Sequence, residues 1–86
     1  MAGGVMTERP VVASAYPGYA TPTFVERGGI WLVTAQPWDR PVGAVWESGL
    51  VGWSAGNVHG LNVGLFPDKQ AAGEALVRHA GYEVLG

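Results

Sequence analysis

The chain is 86 residues long and contains no cysteine, which excludes disulfide bonds and thiolate metal sites as sources of stability. Seven acidic and five basic residues give a net charge of −2, and no run of lysines or arginines is present to bind the phosphates of a nucleic acid. No stretch reaches the roughly 20 apolar residues of a membrane span, and no signal-peptide pattern begins the chain, so a cytoplasmic location without membrane contact is expected.

Residues 1–23 are predicted to form a flexible N-terminal arm. They have no apolar period, and glycine and proline recur at Gly3, Gly4, Pro10, Pro17, Gly18 and Pro22. Such a segment buries too little surface to offset the entropy that is lost on ordering. Residues 24–86 are left as a single small domain, and at about 60 residues a domain is marginally stable. Its four tryptophans are expected to strengthen the core, and a dimer or permanent partner would be a further source of stability.

Four short strands are predicted at the start of this domain. Residues 30–34 are a largely apolar run of β-forming residues, and two prolines in the following loop separate them from a second strand at 42–48. Residues 53–57 form the third strand. A tight turn leads to the fourth, at 61–66, where alternation puts Leu61, Val63 and Leu65 on one face.

A helix is predicted over residues 69–80. Asp68 is a good N-cap because its carboxylate accepts a bond from an N–H of the first turn, and Gly81 suits the position after the last turn. Gly73 in mid-helix costs about 1 kcal/mol relative to alanine, which favours a helix that must approach a sheet closely. The face expected to pack on the sheet contains Ala72, Ala75, Leu76, His79 and Ala80.

Together these elements predict an α+β domain. A small antiparallel β-meander of three to four strands is followed by one C-terminal α-helix, which packs on one face of the sheet. Residues 82–85 are interpreted either as a short edge strand or as a packed tail. The opposite face of the sheet would then be left without a helix to cover it.

Short segments rich in glycine and alanine recur in a definite order within this domain. They are Gly43-Ala44-Val45 in one strand, Gly52-Trp53-Ser54-Ala55 in the next, Gly64-Leu65-Phe66 in the last, and Ala71, Ala72 and Ala75 in the helix. In this order, residues 43–80 resemble the DNA-binding domains of plant ethylene-response factors and of integrase arm-type modules, each a three-stranded sheet with a C-terminal helix. The resemblance covers about half of the chain and implies the same topology.

The resemblance also implies a nucleic-acid-binding alternative. In that family the exposed sheet face enters the DNA major groove with several arginines and a tryptophan. Trp53 matches the tryptophan, but arginines of the family are matched by Trp46, Glu47 and Asn57, and residues 42–66 contain no lysine or arginine. A protein gains affinity for a nucleic acid when its lysines and arginines displace the counterions bound to the phosphates. Because these strands have no such cation, a protein is expected as the partner in preference to a nucleic acid. Aromatic stacking on a single strand is the remaining way to bind it.

The functional prediction rests on the four tryptophans, because a core of this size can bury about two of them. Trp31 lies in the first apolar run and is predicted to be packed in the core. Trp46 and Trp53 lie on neighbouring strands, and their face is either covered by the ends of the chain or is a partner-binding surface. The candidate partner-binding residues are Trp46, Glu47 and Trp53 on the sheet, and Trp38, Asp39 and Arg40 in the proline-flanked loop.

We therefore expect a non-enzymatic protein-interaction module, such as a small phage-like or regulatory accessory protein, that uses this aromatic sheet face. A structural subunit that self-associates through a sheet edge is a further possibility. His59 and His79 have no nucleophile motif near them and no spacing that favours a metal site. No enzymatic activity, metal or cofactor is expected.

Overall fold

Six strands and one helix make up residues 18–84, the part of the chain that the structure, a computed structural model, describes. The elements are β1 (Tyr19–Arg27), β2 (Ile30–Gln36), β3 (Arg40–Glu47), β4 (Trp53–Asn57), β5 (Asn62–Phe66), α1 (Lys69–His79) and β6 (Glu83–Val84). One sheet contains all six strands in the order β5-β4-β3-β2-β1-β6.

The sheet is mixed, and it is larger than predicted. Strands β1 to β5 form an antiparallel meander, and β6 returns beside β1 in parallel. The α+β class and the position of the helix near the C-terminal end agree with the prediction. The predicted antiparallel sheet of three to four strands is corrected to a mixed sheet of six strands.

The additional long strand is β1. Residues 19–23, which the prediction assigned to the N-terminal arm, belong to it, and its pairing with β2 runs from Thr21↔Gln36 to Arg27↔Ile30. Gly28 and Gly29 form the two-residue turn, with φ of 60° and 87°, as a type I′ hairpin turn requires. Of the rest of the predicted arm, Gly18 precedes β1, and residues 1–17 lie outside the described residues.

Helix α1 begins and ends close to its predicted limits. The Asp68 carboxylate accepts a hydrogen bond of 2.7 Å from the backbone N–H of Ala71, and Gly81 follows the last turn with φ of 105°. The buried face is rotated from the predicted one. It contains Ala72, Gly73, Leu76 and Val77, whereas Ala75 is half-buried and His79 and Ala80 are exposed.

The rotation of the helix follows from a contact at Gly73. A Cβ atom at this position would overlap the ring of Phe24 and would lie 3.2 Å from the Cβ of Pro22. The absence of a side chain therefore lets α1 approach β1 closely, as the mid-helix glycine predicts. The buried face was predicted from the positions of the alanines. That prediction did not include the contact with Phe24, because β1 was not predicted.

The core lies between α1 and one face of the sheet. Its largest fully buried side chains are Leu76, Val33, Val45 and Val77. Small residues supply much of the remainder, and the full set is Ala20, Val33, Ala35, Val42, Val45, Ala55, Ala72, Leu76, Val77 and Tyr82. Within the described residues, the helix covers one face of the sheet and leaves the other without a covering element.

Candidate functional site on the open face of the sheet

Strand register determines which side chains lie on the face opposite α1. Phe24 and Pro22 contact the helix at Gly73, so the odd-numbered residues of β1 point away from it. Following the cross-strand pairs from those residues gives two rows. They are Arg27, Ile30, Trp46, Ser54, Leu65 and Val25, Leu32, Ala44, Gly56, Asn62. These two rows are called the open face.

The large aliphatic residues of the open face are exposed. Val25 and Leu65 each retain 53% of their accessible surface, Ile30 retains 44% and Leu32 retains 42%. Arg27, at one corner, is the one charged residue in the two rows. Monomeric proteins rarely present a contiguous apolar surface of this kind unless it binds something.

Trp46 lies at the centre of the open face. Its ring extends over the neighbouring strand, and a Cβ built on Gly56 would lie 3.3 Å from Cη2 and 3.5 Å from Cζ3. The ring therefore occupies the space that a side chain at Gly56 would fill. This contact leaves Trp46 half-buried by its own sheet and holds the indole across the strands.

A groove of about 660 Å³ lies beside the indole. Leu32, Ala44, Trp46 and Val58 are among the residues that line it, and Gly56 borders it beside the Trp46 ring. The groove is wide enough for one or more side chains from another molecule, and its lining is mainly apolar. The arrangement provides a rigid aromatic anchor next to a space that an apolar side chain can enter.

The structure separates the three predicted sheet residues. Trp46 pairs with Ser54, whereas Glu47 pairs with Trp53. Because consecutive residues of a strand point to opposite faces, Glu47 and Trp53 lie on the side of α1, where Trp53 packs against the core. Trp46 and Trp53 therefore do not pair across the sheet, and Trp46 is the one of the three that belongs to the open face.

The predicted loop residues lie at the other end of the sheet. Trp38 is 48% exposed, but its Nε1 donates a 2.9 Å hydrogen bond to the carbonyl of Tyr19, and its ring stacks on Tyr82 at 6.5 Å between centroids. Asp39 accepts a hydrogen bond from the Gln36 side chain. Arg40 begins β3, and the six residue steps from Arg40 to Trp46 span roughly 20 Å of strand. The loop thus forms a second surface, apart from the open face.

Arg40 borders a smaller cleft that sequence spacing did not indicate. The cleft has a volume of about 340 Å³ and lies at the C-terminal end of α1, where His59 and His79 also line it. No group of three His, Cys, Asp or Glu side chains in residues 18–84 is arranged to hold a metal ion.

Trp31 is packed against the core, as predicted from its apolar neighbours. It lies on the helix side of β2, where Nζ of Lys69 is 3.6 Å from the centre of its ring. The same ammonium is 5.0 Å from the ring of Phe24. Lys69 is therefore directed at aromatic rings beneath the helix and away from the open face.

Sequence reasoning missed the aliphatic residues of the open face. The signal that could have found two of them is the unbroken run from Ile30 to Val33, since a strand that is apolar at every position is apolar on both faces. Leu65 was missed for a different reason. A register shift between Ala55 and Gly56 breaks the predicted alternation, so Val63 packs against the core while Leu65 faces outward.

Comparison with known proteins does not assign this chain to a family. The chain matches no protein-family model, and neither a curated protein nor a solved structure is significantly similar to it. Strands β3 to β5 with α1 form a small antiparallel sheet and one helix, which is compatible with the topology that the ethylene-response-factor resemblance implies. Within residues 18–84, no helix has the length and apolar character needed to cross a membrane.

Proposed function

We propose that this chain is a non-enzymatic protein-interaction module, of a phage-like or regulatory accessory type, that binds an apolar protein surface through the open face. The observation that carries the proposal is the exposure of Val25, Ile30, Leu32 and Leu65 around the central Trp46. Burial of apolar surface releases about 25 cal/mol for each Å² removed from water, so a face of this composition gains free energy when it is covered.

Charge favours protein over nucleic acid as the partner. Residues 42–66 contain no lysine or arginine, and Arg27 is the one cation in the two rows of the open face. The open face therefore has almost no cations to neutralise phosphates, and binding a nucleic acid would gain little free energy from counterion release. Binding of an apolar protein surface does not depend on counterion release.

Trp46 is the expected hot spot of the interface. Tryptophan is enriched among residues whose truncation weakens binding most, and such residues lie near the centre of an interface where water is excluded. Trp46 is central, its ring is already held over Gly56, and little conformational entropy is lost when a partner covers it. Arg27 and Asn62, at opposite ends of the two rows, would form part of a polar rim.

The remaining predicted residues have subsidiary roles in this proposal. Trp53 packs against the core from the helix side of β4, and Glu47 is its exposed cross-strand partner on β3. Trp38, Asp39 and Arg40 would contribute only to a partner that extends around the end of the sheet. Substitution of the loop is therefore expected to weaken binding less than substitution at Trp46.

The test replaces Leu32 by aspartate and uses Leu50→Asp as the matched control. Leu50 is fully exposed in the turn between β3 and β4, and the control therefore makes the same chemical change away from the open face. Each tagged protein is used to recover binding partners from cells that produce the chain, and the affinity for each recovered protein is then measured with purified components.

We expect Leu32→Asp to weaken binding at least tenfold, because an unpaired carboxylate buried in an interface costs several kcal/mol, while Leu50→Asp binds like the parent. Circular dichroism is recorded to check that both variants are folded. Equal binding by Leu32→Asp and the parent would overturn the proposal. Binding to mixed-sequence DNA or RNA that falls steeply with salt would favour the nucleic-acid alternative instead.

A further inference from the structure

We infer that the cleft of about 340 Å³ at the C-terminal end of α1 binds a small organic anion, namely a carboxylate or a phosphate monoester with a short apolar body. This cleft is separate from the open face, and the inference does not depend on the proposed function. Its support is the convergence of Arg40, His59 and His79 on one cleft.

Three separate elements supply these side chains. Arg40 is the first residue of β3, His59 lies in the turn between β4 and β5, and His79 is the last residue of α1. A guanidinium group donates paired hydrogen bonds to the oxygens of a carboxylate or phosphate, and an imidazole donates through a ring N–H. The cleft is therefore bordered by anion donors from three distant parts of the chain.

No acidic side chain competes for these donors. None of the Asp or Glu residues within residues 18–84 lines the cleft, although the chain as a whole has a net charge of −2. In the same part of the chain, the side chains of Arg40, His59 and His79 form no hydrogen bond or ion pair. An anion that enters the cleft thus meets donors that need not first give up a partner in this part of the chain.

The backbone holds the two histidines in place. The Asn57 Oδ1 accepts hydrogen bonds of 2.9 Å from the N–H groups of His59 and Leu61, which fixes the turn. At the end of α1, the carbonyls of residues 76–78 accept hydrogen bonds of 2.9–3.2 Å from the backbone of residues 80–82. These carbonyls are therefore already occupied, and the negative end of the helix dipole favours a protonated His79. A site that is held in this way loses little entropy on binding.

The rest of the lining suits an apolar body. Val42 and Leu76, which are buried members of the core, both contribute to the cleft. Small-molecule sites commonly combine such apolar lining with a few polar groups. A cavity of about 150 Å³ is large enough for benzene, so about 340 Å³ leaves room for a ring that carries a charged group.

A metal ion is the alternative ligand for two histidines. A zinc site requires three or four protein ligands, and no group of three His, Cys, Asp or Glu side chains within residues 18–84 is arranged to supply them. Arg40 would also repel a cation bound in the same cleft. The same arginine attracts an anion, so an anion is the ligand that the whole set of side chains fits.

Binding of an anion is expected to depend on pH. Besides Arg40 and the two histidines, the charged residues of β3, α1 and the loop before β3 do not line the cleft; they are Asp39, Glu47, Lys69, Glu74 and Arg78. Histidine side chains gain positive charge between roughly pH 8 and pH 5. The charge at the cleft therefore becomes more positive as the pH falls, and an anion of constant charge should bind more tightly.

The experiment is a titration of the full chain with phenyl phosphate, benzoate and phenol, followed by NMR of the histidine ring C–H signals. The chain has two histidines and both line the cleft, so these signals report on the site directly. We expect phenyl phosphate, benzoate or both to shift the signals of the two histidines along one saturation curve. Dissociation constants in the millimolar range are expected, because contacts between exposed charges are screened. Phenol, which has the ring without the charge, should cause no such shift.

The relative affinities identify the anion. Tighter binding of phenyl phosphate assigns the cleft to phosphate monoesters, and tighter binding of benzoate assigns it to carboxylates. Benzenesulfonate keeps its charge between pH 6 and pH 8, and it should bind at least threefold more tightly at pH 6.

Arg40→Gln should weaken binding of the preferred anion at least threefold. Arg78→Gln is the matched control, because it removes the same charge from the neighbouring helix, where Arg78 pairs with Glu74 at 3.9 Å and does not line the cleft. The control should bind like the parent, and a dispersed NMR spectrum checks that each variant is folded.

Several results would overturn the inference. They are the absence of a saturable shift with both oxyanions up to about 20 mM, equal binding by Arg40→Gln and the parent, and binding of phenol as tight as that of the oxyanions. Shifts caused by Zn²⁺ but by neither oxyanion would make the histidines a metal pair and would also overturn it. None of these results affects the proposed function, since Arg40, His59 and His79 do not line the groove beside Trp46.

Discussion

Three leucines provide an internal measure of whether the open face is uncovered in the isolated chain. Leu76 is fully buried beneath the helix, Leu65 is 53% exposed on the open face, and Leu50 is fully exposed in a turn. Replacing each by alanine removes the same atoms from three environments. The loss of stability should therefore follow the burial of each side chain.

The expected magnitudes differ enough to be distinguished. Leu76→Ala leaves a cavity in the core and is expected to cost about 2–5 kcal/mol. Leu65→Ala leaves no cavity and removes about half of the 1.5–3 kcal/mol gained by full burial, so it should cost about 1 kcal/mol. Leu50→Ala removes atoms that are already in water and should change stability by less than about 0.5 kcal/mol.

The assay is urea denaturation followed by circular dichroism, at a protein concentration of about 1 µM so that any self-association is minimal. A domain of this size is marginally stable, and sulfate can be added to keep the Leu76→Ala variant folded. A cost for Leu65→Ala equal to that for Leu76→Ala would refute the reasoning. It would mean that the open face is buried within the isolated chain, by its own ends or by another segment.

Three further predictions concern the elements that hold the sheet and helix together. Gly73→Ala should destabilise the protein by about 1 kcal/mol, although alanine is the better helix former, because its Cβ overlaps the Phe24 ring; increased stability in urea denaturation would contradict this. Asp68→Ala should lower stability by about 1 kcal/mol through loss of the N-cap, and Asp68→Asn should restore most of it, so equal losses in thermal unfolding would argue against capping. Lys69→Met should cost about 0.5–1 kcal/mol and shift the fluorescence of Trp31, and an unchanged spectrum in a protein that keeps Trp31 alone would exclude the cation–π contact.

The segment from β4 to the end of α1 was the most predictable part of the fold. The Asp68 cap and the glycine at position 81 are local signals, since each acts within a few residues of its own position, and both agree with the structure. Strand β1 has no comparable local signal. Its residues include Pro22, and it is held by β2 on one side and by the contact of Phe24 with the helix, which are interactions between distant parts of the chain.

Assignment of residues to faces was predictable only where strands are regular. Trp46 and Glu47 are consecutive, so strand alternation alone shows that they cannot share a face. Leu65 is different, because the bulge that reverses its expected face depends on how β5 pairs with β4. Gly64 adopts φ of 148° beside this irregularity, but a glycine in a strand does not by itself reveal the direction of a shift.

Pairing of β6 with β1 places Glu83 beside Tyr19 and Val84 beside Ala20, so residues 18 and 84 lie within a few residues' reach of each other. The backbone N–H of Glu83 donates a 3.0 Å hydrogen bond to the carbonyl of Gly18. A short linker joining these positions, with new termini opened at the exposed Leu50, would give a circular permutant that retains every strand pair. The same adjacency would let residues 18–84 be inserted into a surface loop of a carrier protein, with the open face still displayed.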